Sequence, residues 1–288
     1  MGLSSVCSAV PRAAARAALA LGIVAMPLSA QASDQRKSLC PFEISAGSPP
    51  FTLPRDVASL GAGGPLRIMA IGSSSTAGFG ASQSALTYPN QLAARLSAAL
   101  GPRTVTVTNA GISGETGPTT LRRLEAAMAA PEPPHIVIWQ VGTNDVLFGG
   151  NPAGLEALVL RGLDAVTAAG AVPIVIDQQY FRAILNLNHY ETFVAAVERA
   201  TAARGAALVN RYAVMKHWAE AQPRVFDGLM ALDRFHMGDQ GYACLADLVA
   251  AGILAKPPAA IASAKPPMSV SANPPAVPAS VAASPPAR

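Results

Sequence analysis

The stretch "LRIMAIGSSSTAGFG", Leu66 to Gly80, runs from an apolar segment into four consecutive hydroxyl residues set between glycines. Leu66 to Ile71 are nearly continuous in apolar character, as a strand buried on both faces has to be. Short strand-like runs recur at 104–109 ("TVTVTN"), 135–141 ("HIVIWQV"), 172–177 ("VPIVID") and 206–210 ("AALVN"). Helical periods separate them. In "TYPNQLAARLSAALGP" Pro89 suits a first turn, Leu92, Leu96 and Leu100 share a face, and Gly101-Pro102 stops the helix. Asn151-Pro152 caps and opens another, Leu155, Val159, Leu163 and Val166 line it, and Gly170 closes it. Further helices are predicted at about 118–129, 190–203, 211–221 and 239–254. Strand and helix in alternation predict an α/β fold, a five-stranded parallel sheet with helices on both faces. In such folds the crossovers are right-handed and ligands sit at the carboxyl ends of the strands.

Working outward to the ends, Arg12 and Arg16 precede an apolar run from about Ala17 to Ala25, and Ala30-Gln31-Ala32 follows. This order predicts a secretory signal over 1–32, cleaved after Ala32. The run is too short for a bilayer span, which needs about 20 residues, so no membrane span is expected after cleavage. Residues 33–65 read as an N-terminal extension and 66–255 as one domain with a sizeable core. From Lys256 to Arg288, nine of 33 residues are proline and no apolar face recurs, which predicts a disordered Pro/Ala-rich tail. The formal charge of +4 falls to +2 once Arg12 and Arg16 leave, and no Lys/Arg run offers a nucleic-acid footprint. Cys7 leaves with the signal, so Cys40 and Cys244 remain as an even pair. In a periplasmic or secreted protein they are expected to form an intrachain disulfide.

The polar clusters stand where the ligand rule puts them. Gly72-Ser73-Ser74-Ser75-Thr76-Ala77-Gly78 follows the first strand, "NAGISGET" (109–116) the second, and Gly142-Thr143-Asn144-Asp145 the third. "ALDRFHMGDQGY", with Asp233 and His236, precedes the last helix. Acyl transfer needs these residue types. A serine hydroxyl is a weak nucleophile until a histidine takes its proton, and a carboxylate holds that histidine in the right tautomer. The oxyanion that develops needs aimed donors. Asp233 and His236, three apart, fall on one side of a turn; Asn144 offers a side-chain donor, and glycine near 114 lets a backbone N–H come close.

In this order and at these strand ends, the four clusters resemble those of the SGNH hydrolases, the GDSL esterase/lipase family, over about residues 66 to 254. The resemblance implies a flavodoxin-like three-layer α/β/α sandwich. By position it implies Ser74 as nucleophile, His236 as base and Asp233 as its orienting partner. Gly114 and Asn144 correspond to oxyanion donors beside the Ser74 N–H. The family's first block usually reads Gly-Asp-Ser, whereas here Ser73 stands in the aspartate's place and brings no charge. By residue type alone Ser73 and Ser74 compete; the spacing through Thr76 to Gly78 fits the family block with Ser74 as nucleophile.

Taken singly, each motif has an ordinary reading: a serine-rich loop is a turn, "GTND" is a loop, and Asp233 is a cap. Asp145 reads as a structural hydrogen-bonding residue, and His135, His189 and His217 as structural or solvated. No His-x-x-x-His or Cys-x-x-Cys pattern suggests a metal, and no cofactor is expected. "QYF" (179–181) and Tyr190 read either as the lining of an acyl or aryl pocket or as a lid packed on the domain. The expectation is a secreted serine hydrolase that cleaves small-molecule carboxylic or thio esters through an acyl-enzyme. The competing reading is a non-catalytic flavodoxin-like module whose "GSSSTAG" cradles a phosphate or a carbohydrate. Short-chain esters, acyl thioesters, lysophospholipids and O-acetylated sugars all remain open as substrates. Scarce aromatic residues favour small acyl esters slightly.

Overall fold

The computed structural model describes residues 40–42, 50–61 and 64–257. The leader expected over 1–32 and the tail beyond Pro257 lie outside the described residues, as does much of the N-terminal extension. Five parallel strands form one sheet: β1 (Leu66–Gly72), β2 (Val105–Gly111), β3 (Ile136–Gln140), β4 (Val172–Ile176) and β5 (Ala207–Val209). Their order is β2-β1-β3-β4-β5, the flavodoxin-like order, with its switch point between β1 and β3. Ile68 pairs with Val107 on one side and Ile136 on the other, which places β1 centrally. β2 lies at the edge, and its sequence says why: Thr106 and Thr108 alternate with Val105 and Val107, so one face stays exposed.

Period-2 alternation along β1 divides the core in two. Leu66, Ile68 and Ala70 point into one cluster with Tyr88, Leu92 and Leu96 of α2 (Tyr88–Leu100) and Leu245, Val249 and Ile253 of α9 (Asp239–Leu254). Met69 and Ile71 point into the other, with Leu121 and Leu124 of α3 (Gly117–Met128) and Val159 and Leu163 of α5 (Pro152–Ala168). Phe193 and Val197 of α6 (Leu187–Arg204) close that second layer. The result is a three-layer α/β/α sandwich. The periodic positions expected in α2 and α5 are buried, apart from Leu100 at the end of α2, which is half-buried, because a helix on a sheet has to bury one stripe.

Local signals set the ends. Asn151 caps α5 by accepting from Gly154 N–H at 2.7 Å, and Pro152 occupies its first turn, where a missing N–H costs nothing. α6 starts three residues before the expected 190, because Asn186 accepts from His189 N–H at 3.0 Å. Three short helices escape the periodicity reading: α1 (Ser74–Ala77), α4 (Thr143–Leu147) and α8 (Pro223–Leu229). The first two are a single turn or little more and carry no repeating stripe. α7 (Arg211–Ala221) matches its expected span.

Phe51, Leu53, Val57 and Leu60 from the N-terminal extension are buried in the α2/α9 cluster. The Sγ atoms of Cys40 and Cys244 lie at bonding distance, 1.98 Å, and tie this extension to α9 across 204 residues of chain. Among the described residues no helix is long and apolar enough to cross a membrane.

Two stability predictions follow from this packing. Breaking the Cys40–Cys244 link frees the unfolded chain more than the folded one, so reduction is expected to lower stability by about 2–4 kcal/mol. Urea midpoints with and without dithiothreitol measure it. Gly162 in α5 sits on Trp139, and a Cβ there would lie 2.2 Å from the ring. Gly162→Ala gains about 1 kcal/mol of helix propensity and incurs about 1–3 kcal/mol of overpacking. A net loss of up to about 2 kcal/mol in chemical denaturation is expected.

Candidate active site

β1 delivers the serine loop. A Cβ at Gly72 would fall 2.6 Å from Thr76 Oγ1 and 2.8 Å from Gln140 Oε1, so only glycine lets the chain turn so close to β3. Beyond it Ser73 precedes α1, and Gly78, with φ of 97°, ends that single turn. Gln140 Oε1, on β3, accepts from Ser73 N–H (3.1 Å), Ser73 Oγ (3.3 Å) and Thr76 Oγ1 (3.2 Å). The two competing serines therefore differ in environment. Ser73 is buried and engaged with Gln140, while Ser74 is half-buried with its hydroxyl free to face the opposite loop.

That opposite loop runs from Ala231 to Gly238 and is closed tightly. Ala231 N–H donates to the His236 carbonyl at 2.8 Å and Gly238 N–H to the Leu229 carbonyl at 2.7 Å. Arg234 takes φ of 55°, a left-handed conformation rare for a residue with a Cβ, between Asp233 and His236. Asp233 Oδ1 accepts from the N–H groups of Phe235 (3.0 Å) and His236 (2.9 Å). Its Oδ2 lies 2.6 Å from His236 Nδ1, and His236 Nε2 lies 2.8 Å from Ser74 Oγ. Burial pushes the Asp233 carboxyl up, but hydrogen bonds from the His236 ring and from the Phe235 and His236 N–H groups outweigh it and hold it below the usual carboxylate range. An anionic Asp233 takes a proton donor at Nδ1, which leaves Nε2 as the acceptor for the Ser74 hydroxyl. The rings of Phe79 and Phe235 flank the imidazole, with centroids at 4.5 and 4.6 Å.

The residues expected as donors, Gly114 and Asn144, lie on two further loops. Gly142, with φ of 100°, starts α4, and a Cβ there would meet Gln178 Nε2 at 2.3 Å. Asn144, buried in α4, donates one Nδ2 hydrogen to the Glu115 carbonyl at 2.8 Å and keeps a second. Asp145 takes Gly117 N–H on both carboxylate oxygens, at 2.9 and 3.1 Å, and so ties the start of α3 to α4. Burial pushes this carboxyl up against those hydrogen bonds. Gly114 takes φ of 83° in the loop between β2 and α3, with open space where a Cβ would project. Arg123 pairs with the Glu115 carboxylate and donates to the Ala110 carbonyl at 2.8 Å, which braces the loop. Ser73, Glu115, Gly117, Gln140 and Asn144 line one crevice. Ser74, Asp233 and His236 thus form one hydrogen-bonded chain, Asn144 borders the crevice beside the serine loop, and Gly114 adjoins the Glu115 that Asn144 grips.

Other residues singled out from the sequence fall elsewhere. His135 Nδ1 accepts from Arg67 N–H at 3.1 Å beside β1, His189 packs edge-on to Phe193, and His217 lines a groove between α6 and α7. Phe181, Tyr190 and Tyr212 pack inward as a buried cluster with Tyr180 against it, so the aromatic residues after β4 close over the domain rather than line an open pocket. The motif reading missed Gln140 and Arg211 and took Gln179 only as part of "QYF"; all three are buried. Arg211 donates twice to the Asp177 carbonyl, at 3.2 and 2.8 Å. For the two glutamines a signal was present: Gln140 is the polar residue of "HIVIWQV", and "DQQ" (177–179) follows an apolar strand.

The sequence profile of the non-GDSL lipase-like family matches residues 39–257. No curated protein matches the chain in sequence. Among solved structures it is similar to TesA, with 25% identity and a TM-score of 0.54 over 63% of this chain and 94% of that one. It is similar in fold to a lipase/acylhydrolase from Enterococcus faecalis, with 23% identity and a TM-score of 0.54 over 64% and 94% of the two chains. The psychrotrophic esterase EstA from Pseudoalteromonas sp. shares that fold, with 22% identity and a TM-score of 0.53 over 65% and 95%. With its flavodoxin-like sheet, its four ordered loop motifs and a serine block that lacks the aspartate, the chain belongs to the non-GDSL lipase-like family, within the SGNH-hydrolase type.

Proposed function

We propose that this chain is a serine hydrolase that cleaves carboxylic or thio esters through an acyl-enzyme. One observation carries the reading: the continuous hydrogen-bonded chain from Asp233 through His236 to Ser74 Oγ. His236 Nε2 takes the hydroxyl proton as Ser74 Oγ attacks the substrate carbonyl carbon. The carbonyl oxygen becomes anionic, and its donors are the N–H groups of Ser74 and Gly114 and the spare Nδ2 hydrogen of Asn144. Neither of those two N–H groups has a partner among the described residues. His236 then returns the proton to the departing alcohol or thiol, leaving Ser74 acylated. A water, deprotonated by His236, attacks the acyl carbon, and the acid leaves as Ser74 regains its proton.

The exposed apolar side chains support a choice of substrate. Phe79, Ile112, Leu147, Phe148 and Leu232 project from the loops that carry the candidate residues. Such a rim suits an apolar acyl or alkyl group better than a sugar, which needs polar partners. The Cys40–Cys244 disulfide supports an oxidising compartment, periplasmic or extracellular.

Hydrolysis of p-nitrophenyl butyrate and labelling by a fluorophosphonate test the reading. Ser74→Ala is expected to lower kcat by about 10^4-fold or more and to abolish labelling. Ser73→Ala loses only a bond to Gln140 and is expected to label, with about 1 kcal/mol lost in stability. Labelling that persists in Ser74→Ala and vanishes in Ser73→Ala would overturn the assignment. The pH profile gives a second check. Asp233 is held below the ordinary range, so it stays anionic while the pH is lowered into the region where imidazoles protonate. Protonating the base removes its acceptor, so kcat/KM is expected to fall towards acid with a slope of one, from a single titration. A slope of two, or a flat acid limb, would contradict a neutral His236 acting with a permanently ionised Asp233.

A further inference from the structure

Asp177, Gln178 and Gln179 follow β4 and are polar yet fully buried. A buried amide is tolerated when its polar atoms find hydrogen-bond partners inside the protein. For Gln179 both side-chain polar atoms and both main-chain polar atoms do. Its Oε1 accepts from Ser75 Oγ at 2.9 Å, and its Nε2 donates to the Phe235 carbonyl at 2.9 Å. Its N–H donates to Thr143 Oγ1 at 3.4 Å, and its carbonyl accepts from Tyr190 OH at 2.8 Å.

The partners share a property. Ser75 is the residue after Ser74, Thr143 the residue before Asn144, and Phe235 the residue before His236. One residue just beyond β4 therefore bonds to a sequence neighbour of Ser74, of Asn144 and of His236. Two of these bonds come from the side chain and span 104 and 56 residues of chain.

We propose that Gln179 is a positioning residue that sets the separation between Ser74 and His236, an inference that rests on the reading of those two residues given above. The serine and the histidine stand on separate loops, and a 2.8 Å hydrogen bond is what joins their side chains. Misplacement of reacting groups by about 1 Å costs on the order of 10^2-fold in rate. The Gln179 amide is a rigid planar bridge: Oε1 restrains α1 through Ser75, and Nε2 restrains the backbone from which His236 departs. Its own main chain is pinned at both polar atoms, by Thr143 and Tyr190, so the bridge has a fixed base.

The test is steady-state kinetics and fluorophosphonate labelling on the full chain, for wild type, Gln179→Met, Ser75→Ala, the double variant and Thr201→Val. Gln179→Met is expected to lower both kcat and the labelling rate by about 10- to 100-fold, with KM within about twofold. Ser75→Ala should lose less in the same sense, and the double variant should be no worse than Gln179→Met, because both act through one bond. Thr201→Val removes a buried hydroxyl within α6 and should lower the melting temperature while leaving kcat unchanged. If Gln179→Met does not fold, Gln179→Glu keeps the acceptor for Ser75 and loses the donor to Phe235, and the same loss of kcat at constant KM is expected. A folded variant at Gln179 with unchanged kcat, a change in KM alone, or additive losses with Ser75→Ala would overturn the inference while wild type remains active. A wild type that neither turns over nor labels would remove the reading of the site, and this inference with it.

Discussion

All five strands run in one direction, so their carboxyl ends open onto one edge of the sheet, and the loops that leave that edge converge there. The rest of the molecule depends on this constraint. The serine loop leaves β1, the glycine loop β2, the Asn144 loop β3 and the Gln179 segment β4. The loop with Asp233 and His236 comes from between α8 and α9 and is laid over the same edge. Residues far apart in the chain become hydrogen-bonding neighbours because the parallel sheet, packed by helices on both faces, brings the ends of its strands to one edge. The two hydrophobic layers hold the edge rigid, and the loops then need only short-range hydrogen bonds to take up their places.

Those hydrogen bonds are made largely by uncharged amides. Where the GDSL serine block usually has an aspartate this chain has Ser73, whose N–H and Oγ donate to Gln140 Oε1 on the neighbouring strand. The difference is physical as well as positional. A carboxylate at this depth would need compensating charge, whereas a glutamine oxygen accepts three neutral donors with no ion to desolvate. The loop is thereby fixed without placing a negative charge beside the serine. Among the charged groups near the edge, Asp233 is stabilised by His236 and two N–H groups, and Asp145 is held by Gly117 on both oxygens. Asp177 is a different case: burial pushes its carboxyl up to about 7, against the Tyr212 N–H and the nearby Arg211 charge.

Much of this was legible in the residues. Apolar runs of strand length separated by capped, periodic helices identify a parallel α/β sheet, because only strands covered on both faces lack polar alternation. The edge position of β2 shows in its alternating threonines. The helix ends at Asn151 and Gly170 show because capping is a local matter of side-chain reach and backbone conformation. The single-turn α1 and α4 do not show, since one turn has no period to detect. The start of α6 at Leu187 does not show, because Asn186 and Asn188 are both of capping type and residue type alone does not say which one caps.

The sequence by itself determined the class of fold, the placing of the polar loops at strand ends, and the residue types available there: serine, histidine, aspartate, asparagine and glycine. By residue type it left Ser73 and Ser74 in competition, and only the spacing through Thr76 to Gly78, read against the resembling family, favoured Ser74. The tertiary structure gives the physical difference between the two, by burying Ser73 against Gln140 and leaving the Ser74 hydroxyl facing His236. It also decided that the aromatic residues after β4 pack inward and that Gln179 touches three loops at once. The reason is the range of the forces. Caps and strand patterns act over a few residues, and a reader of sequence can follow them. A hydrogen bond between residues 104 apart exists only where the whole sheet has brought its ends together.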